Sequence, residues 1–196
     1  MISEEQYFEA IRRIDDIHII DSSIEIIGGD EIKAELLYSN RMLTILEKVD
    51  PNSSFELKLA AKCQHMSRWS IPRATFPMDK KGYYQWRAAV MEYQLKVTTS
   101  VLQDSGIDND SIAVIVDALK NKADKTNVNA SIIEDTACLT FIKWYLVSFA
   151  GQFDVEKAKG ILAKTAKKMS ERGLGLLSQI DLIRLCWIFL NCLINI

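Results

Sequence analysis

Residues 131–150 read SIIEDTACLTFIKWYLVSFA, and their spacing decides the fold class. Turned at about 100° per residue, Asp135 heads a row with Leu139, Ile142, Leu146 and Phe149. Glu134 heads a second row with Cys138, Phe141 and Tyr145, so the helix is apolar over most of its circumference. The same three-and-four recurrence runs through nearly the whole chain. Alternation of the kind a strand needs shows only weakly, in Ser23-Ile24-Glu25-Ile26-Ile27. The sequence therefore predicts an all-α protein, a single compact multi-helix domain over residues 1–196. Its helices fall at about 3–18, 31–49, 54–69, 81–104, 109–122, 131–150, 154–170 and 179–193.

Local punctuation supports these helix starts. Ser3 to Gln6, Ser53 to Glu56 and Ser131 to Glu134 each read as a capping box, in which a hydroxyl and a carboxyl or amide satisfy the free N–H groups of a first turn. Gly106 and Gly173 follow periodic segments, where a left-handed residue would close a helix. Pro72 and Pro77 make 70–80 the one long irregular loop.

Composition narrows the class further. In 196 residues, 24 Lys+Arg stand against 26 Asp+Glu for a net charge of −2, with 48% hydrophobic residues, 8 Gly and 3 Pro. Such a chain can bury a full core, and its balance argues against a dedicated nucleic-acid binder. Cys63, Cys138, Cys186 and Cys192 lie in apolar helical stretches with no CxxC pair, the usage of reduced, buried thiols in a cytoplasmic protein. The acidic N-terminal stretch lacks the basic start and apolar run of a signal peptide. The apolar run LCWIFLNCLINI at 185–196 is shorter than the roughly 20 residues that a membrane helix needs. Residues 182–196 accordingly read as a buried closing helix or a dimer surface, with a tail anchor as the lesser alternative.

Polar residues interrupt several apolar stripes. Glu35 aligns with Tyr38, Met42, Ile45 and Val49, while Arg87 and Gln94 join the stripe of Tyr83, Trp86, Val90, Val97 and Val101. His65 lies at the margin of the stripe Phe55, Leu59, Cys63 and Met66, beside Arg68 and Trp69. A buried charge without a partner costs several kcal/mol, so these groups should meet one another, water, a ligand or a metal. Glu134 suits a first-turn cap, and Asp135 stands between that role and a site. Glu35 paired with Arg87 would make a network that needs no ligand. Around His65, Arg68, Arg73, Lys80, Lys81 and Arg87 interleave with Trp69, Phe76, Tyr83, Tyr84 and Trp86. Arginine forks bind phosphate and aromatic rings stack on bases, so this segment fits a small anionic, phosphorylated or nucleotide-like ligand; it equally fits a loop held by cation–π contacts. Lys157, Lys159, Lys164, Lys167, Lys168 and Arg172 form a second basic run, the pattern of a solvated helix face. No Gly-rich phosphate loop, HExxH, Ser-His-Asp set or Cys/His cluster occurs.

The strings Glu35-Leu36-Leu37-Tyr38 with Arg41-Met42, Gln64-His65-Met66-Ser67-Arg68-Trp69, Ile71-Pro72-Arg73 and Gly82-Tyr83 with Trp86-Arg87 occur in that order. Glu134-Asp135 and Lys164-Thr165 with Lys168-Met169-Ser170 follow them. Together, over roughly 7–175, they resemble the family known as domain of unknown function four-two-zero-two. That family looks in turn like a distant relative of the HD-type metal-dependent phosphohydrolases. The resemblance implies their helical fold and a divalent metal (Mn, Fe, Co or Mg) held by His65 and Asp135. Glu35 would lie in the helix of an earlier ligand, and Arg68, Trp69, Arg73, Arg87, Gln94, Lys164 and Lys168 would line the substrate site. Where the family has a histidine this chain has Gln94, a poor transition-metal ligand. Two functions follow as expectations. One is a metal-dependent phosphohydrolase with His65, Asp135 and Glu35 as catalytic residues. The other is a non-catalytic anion-binding or oligomerising helical module that has lost the metal.

Overall fold

The computed structural model describes residues 1–120, 126–152 and 155–177. The chain is mostly helical. Helix α1 is Glu4–His18, and a hairpin of β1 (Ile24–Ile27) and β2 (Asp30–Lys33) leads into α2 (Ala34–Val49). Then come α3 (Phe55–Lys62), α4 (Lys80–Asp104), α5 (Asn109–Lys120) and α6 (Val128–Thr140). A π-helical turn, Phe141–Tyr145, joins α6 to α7 (Leu146–Ala150), and α8 (Val155–Ala166) and α9 (Glu171–Leu176) follow. The expected helix over 179–193, the apolar segment 182–196, Cys186 and Cys192 lie outside the described residues. Among the described residues no helix is long and apolar enough to cross a membrane.

Local chemistry accounts for most boundaries. Ser3 and Gln6 form the expected reciprocal capping box of α1, and Gly106, at φ +73, ends α4 in the left-handed region that glycine adopts without strain. Two starts move by a few residues because a neighbour supplies the better cap. Ser54 caps α3 in place of Ser53, and Asn127 caps α6 upstream of Ser131. Gly173 is a correction: it lies inside α9, where an added Cβ would collide with the Asp135 carboxylate, rather than closing a helix. The weak alternation at Ser23–Ile27 becomes half of a true hairpin. Gly28 and Gly29, both at positive φ, provide its two-residue turn, and β2 takes residues that helical spacing had assigned to the start of α2.

The buried apolar cluster draws on every helix from α1 to α6, with Ile14, Met42, Ile45, Leu46, Leu59, Met66, Leu102, Ile115, Ile133 and Leu139 at its centre. Helix α2 packs along α6 and also against α3, which brings residues near 35–41, 63–68 and 138–145 to one end of the core. Two buried polar groups knit this region. His18 donates from Nε2 to the Lys62 carbonyl at 3.0 Å. The ammonium of Lys62, only 1% exposed, donates to Asp15, to Ser39 at 3.1 Å and to Asn40 at 2.8 Å.

Candidate functional site

The third helix is shorter than its periodicity predicts, and the shortening builds the site. After Lys62 the chain leaves the helix, Ser67 adopts a left-handed φ of 51°, and a single 3₁₀ turn follows at Arg68–Ser70. The Arg68 amide donates to the His65 carbonyl at 3.0 Å, so both side chains emerge from one tight turn instead of successive helical faces. A non-glycine residue held at positive φ is uncommon, and such positions concentrate where a fold constrains a functional group.

Helix α2 supplies the wall opposite this turn. Glu35 and Tyr38, three apart and therefore on one face, both reach His65. The imidazole stacks on the Tyr38 ring with centroids 4.0 Å apart and planes 9° from parallel. Nδ1 of His65 lies 3.5 Å from Oε2 of Glu35, at ion-pair range but too long for a good hydrogen bond. That oxygen is buried and accepts no hydrogen bond among the described residues. Burial pushes the Tyr38 hydroxyl well above the ordinary phenol range, with Glu35 adding to the shift, so Tyr38 serves as a neutral ring that fixes the imidazole plane.

Helix α4 supplies the third wall. Trp86 is pinned by its indole N–H, which donates to the Ile71 carbonyl at 2.8 Å, and the Arg68 guanidinium sits 5.0 Å from its ring centroid. Desolvation holds Arg68 below the ordinary arginine range; Glu35 opposes that shift and nearby Arg87 reinforces it. Among the described residues the Arg68 guanidinium has no hydrogen-bonded partner. Arg87 is exposed, and its one hydrogen bond there is a long contact of 3.4 Å to the Tyr83 hydroxyl. Tyr83 and Tyr84 are exposed and meet edge to face at 5.7 Å. Two guanidinium groups, an imidazole and a carboxylate thus cluster beside aromatic rings.

An extension of this cluster was hidden in the sequence. The π turn rotates Tyr145 toward α2, where its ring lies 5.8 Å from Tyr38 and its hydroxyl accepts from Arg41 at 2.7 Å. Arg41 also donates to Glu25 of the hairpin at 2.8 Å and lies over the rings of Trp144 and Tyr145. Burial pushes the Tyr145 hydroxyl up to about 12, with Arg41 opposing. Periodicity at 100° per residue cannot anticipate a π turn; the visible signal was Arg41, three residues after Tyr38.

The other expected site residues lie elsewhere or serve the fold. Asp135, 1% exposed, accepts from the Ser170 backbone amide at 2.8 Å and from the Ser170 hydroxyl. Ser170 in turn caps α9. Both Asp135 oxygens are used in tying α6 to α9, and neither bonds to His65 or Glu35. Glu134 faces Lys168 at 3.6 Å, and Lys164 is exposed. Arg73 donates to the carbonyls of Phe76, Pro77 and Asp79, bracing the proline loop. Trp69 packs toward His18 at 6.3 Å. Gln94 is 7% exposed, and its amide nitrogen lacks a partner among the described residues.

Among the described residues the expected donor set does not come together as a transition-metal site. Glu35 and His65 contribute two ligand types, but Asp135 is committed to Ser170, and the described residues contain no group of three His, Cys, Asp or Glu side chains able to hold a metal ion. The geometry instead suits recognition of an oxyanion by guanidinium groups in a partly desolvated setting.

No curated protein and no solved structure matches the chain. A family model matches residues 8–186, a span that takes in every residue of this cluster, and the chain belongs to that family, Domain of unknown function (DUF4202).

Proposed function

We propose that the protein binds a small phosphorylated molecule at the cluster of His65, Arg68, Arg87, Tyr83 and Trp86, which serves as a binding cleft. Arg68 carries this reading. A guanidinium normally satisfies its five N–H donors with carboxylates, carbonyls or water, yet this one lies half-buried over Trp86 without a hydrogen-bonded acceptor among the described residues. A phosphate would accept the Arg68 fork and reach Arg87, whose charge already acts on Arg68. Tyr83 and Tyr84, exposed at the rim, offer rings on which the aromatic part of a nucleotide-like ligand can stack.

The Glu35–His65 pair favours a second reading on the same cleft. A carboxylate beside Nδ1 orients an imidazole and stabilises its protonated form. With a phosphate ester held by the arginines, His65 would accept a proton from an attacking water as the P–O bond to the leaving alcohol breaks, and return it to that alcohol. This step runs on the chain's own residues and differs from the metal-dependent hydrolase that the resemblance to HD-type phosphohydrolases implies, in which His65 and Asp135 would hold a metal.

Titration calorimetry with a nucleoside monophosphate, a sugar phosphate and inorganic phosphate tests the binding. At least one should bind, and Arg68→Met should weaken it tenfold or more, about 1.4 kcal/mol, while Arg73→Met leaves it within twofold. No binding by any of the three, or binding indifferent to Arg68, would overturn the proposal. Release of inorganic phosphate lost in both His65→Ala and Glu35→Gln, with binding retained, separates the hydrolase from the binding module.

A further inference from the structure

The hairpin offers a surface that the cleft does not use. Its two strands form the whole sheet among the described residues, so each has an open edge. Across the two-residue turn Ile27 pairs with Asp30, Ile26 with Glu31, Glu25 with Ile32 and Ile24 with Lys33. In such a hairpin the pair flanking the turn exchanges backbone hydrogen bonds, and bonded and non-bonded pairs then alternate. The bond from the Ala34 amide to the Ser23 carbonyl, 3.0 Å, is in phase with that alternation. Hence the N–H and C=O groups of Glu31 and Lys33 point away from β1, toward the open edge of β2.

Charge decides which edge can meet a copy of itself. If two β1 strands met antiparallel about Glu25, the register that would pair the edge-facing backbone groups of Ile24 and Ile26, Glu25 would face the Glu25 of the other chain, and like charges opposite one another are destabilising. Glu25 is moreover engaged by Arg41. If two β2 strands meet about Ile32, Glu31 faces Lys33 of the second copy and Lys33 faces its Glu31. Each of these opposite-charge pairs falls on residues whose backbone groups face the edge, so each can also exchange two backbone bonds. Neither Glu31 nor Lys33 has a hydrogen-bonded or ionic partner of its own beyond the hairpin among the described residues. On the same face, Ile24 and Ile26 are 48% and 71% exposed, and the aliphatic stems of Lys33 and Glu31 would lie between the isoleucines of the two copies.

We infer that this edge is a self-association surface: two copies of the chain pair antiparallel through β2, with Glu31 opposite Lys33 twice, into a four-stranded sheet of two-fold symmetry. A strand added to an open edge gains main-chain hydrogen bonds, and the reciprocal charges fix the register. The inference is independent of the cleft.

Sedimentation velocity on the full chain over a wide concentration range tests it. The wild type should show a reversible monomer–dimer equilibrium. Lys33→Glu and Glu31→Lys, each folded by circular dichroism, should weaken association at least tenfold. An equimolar mixture of those two variants should restore it, because each supplies the charges the other lacks, and the double variant Glu31→Lys/Lys33→Glu should associate like wild type. A wild type that stays monomeric, a dimer unmoved by Lys33→Glu, or a charge-swapped chain that fails to recover would each overturn the inference.

Discussion

Lys62, buried, and Arg68, half-buried, are cations near one end of the core, and they are treated in opposite ways. Lys62 has three ammonium protons and three acceptors, in Asp15, Ser39 and Asn40. Among the described residues Arg68 has five donors and only the face of Trp86 beneath it, with the Glu35 field in reach. A buried ion with every proton accepted holds helices together. On the reading proposed above, a half-buried one left short of acceptors holds a place for a ligand. The same contrast separates the two inward carboxylates, since Asp135 accepts twice from Ser170 while Glu35 keeps a buried oxygen without a hydrogen bond among the described residues.

Substitution can break this comparison most forcefully at Lys62. Lys62→Met should cost about 3 kcal/mol, toward the low end of what breaking a buried pair costs, because Asp15 retains some water. Urea unfolding would show it, and a change below about 1 kcal/mol would put Lys62 in the class of surface ion pairs. Asp135→Ala comes next: orphaning the Ser170 amide and hydroxyl should lower stability by about 2 kcal/mol and leave phosphate-ester binding intact. Binding lost without a change in stability would return Asp135 to the site.

Arg68→Met sharpens the contrast from the other side. It should change unfolding stability by less than about 0.5 kcal/mol, since no protein acceptor is abandoned, while ligand affinity falls by tenfold or more. A large loss of stability would make Arg68 a second Lys62. The smallest effect belongs to His18. Burial holds its imidazole below the ordinary 6.5. The unfolded chain therefore takes up a proton that the folded chain refuses, and stability should be full above that pH and decline as the pH falls below it. Unfolding curves for wild type and His18→Gln on either side of 6.5 should diverge in their pH slopes, the variant being flatter.

Much of the fold was legible. The three-and-four spacing of α1, α2, α4 and α5 arises because one face of each must be buried, and Ser3 and Gly106 mark ends through bonds made within a few residues. The long α4 was readable for this reason, as were Glu35 and Arg68 as polar groups on or beside apolar stripes; Arg87 and Tyr83, read into the inward stripe of α4, are instead exposed, because only the Trp86, Val90 and Gln94 side of that helix is buried. Asp135 was ambiguous for a physical reason: an acid in an apolar row looks the same whether its acceptors meet a ligand or a serine 35 residues later. Arg73 was misleading in a similar way, since its fork matches three carbonyls of its own loop as well as it matches a phosphate.

By itself the sequence determined that the chain is helical, which faces turn inward, and that cations and aromatic rings gather between residues 65 and 87. Those properties depend on residue type and on contacts made a few positions away. Only the tertiary structure decided that the chain leaves α3 at Lys62, that a π turn brings Tyr145 to Arg41, and that His65 meets Glu35 while Asp135 meets Ser170. Each of these depends on pairing buried polar atoms across distant segments, and the partner is set by how the helices pack rather than by any local spacing.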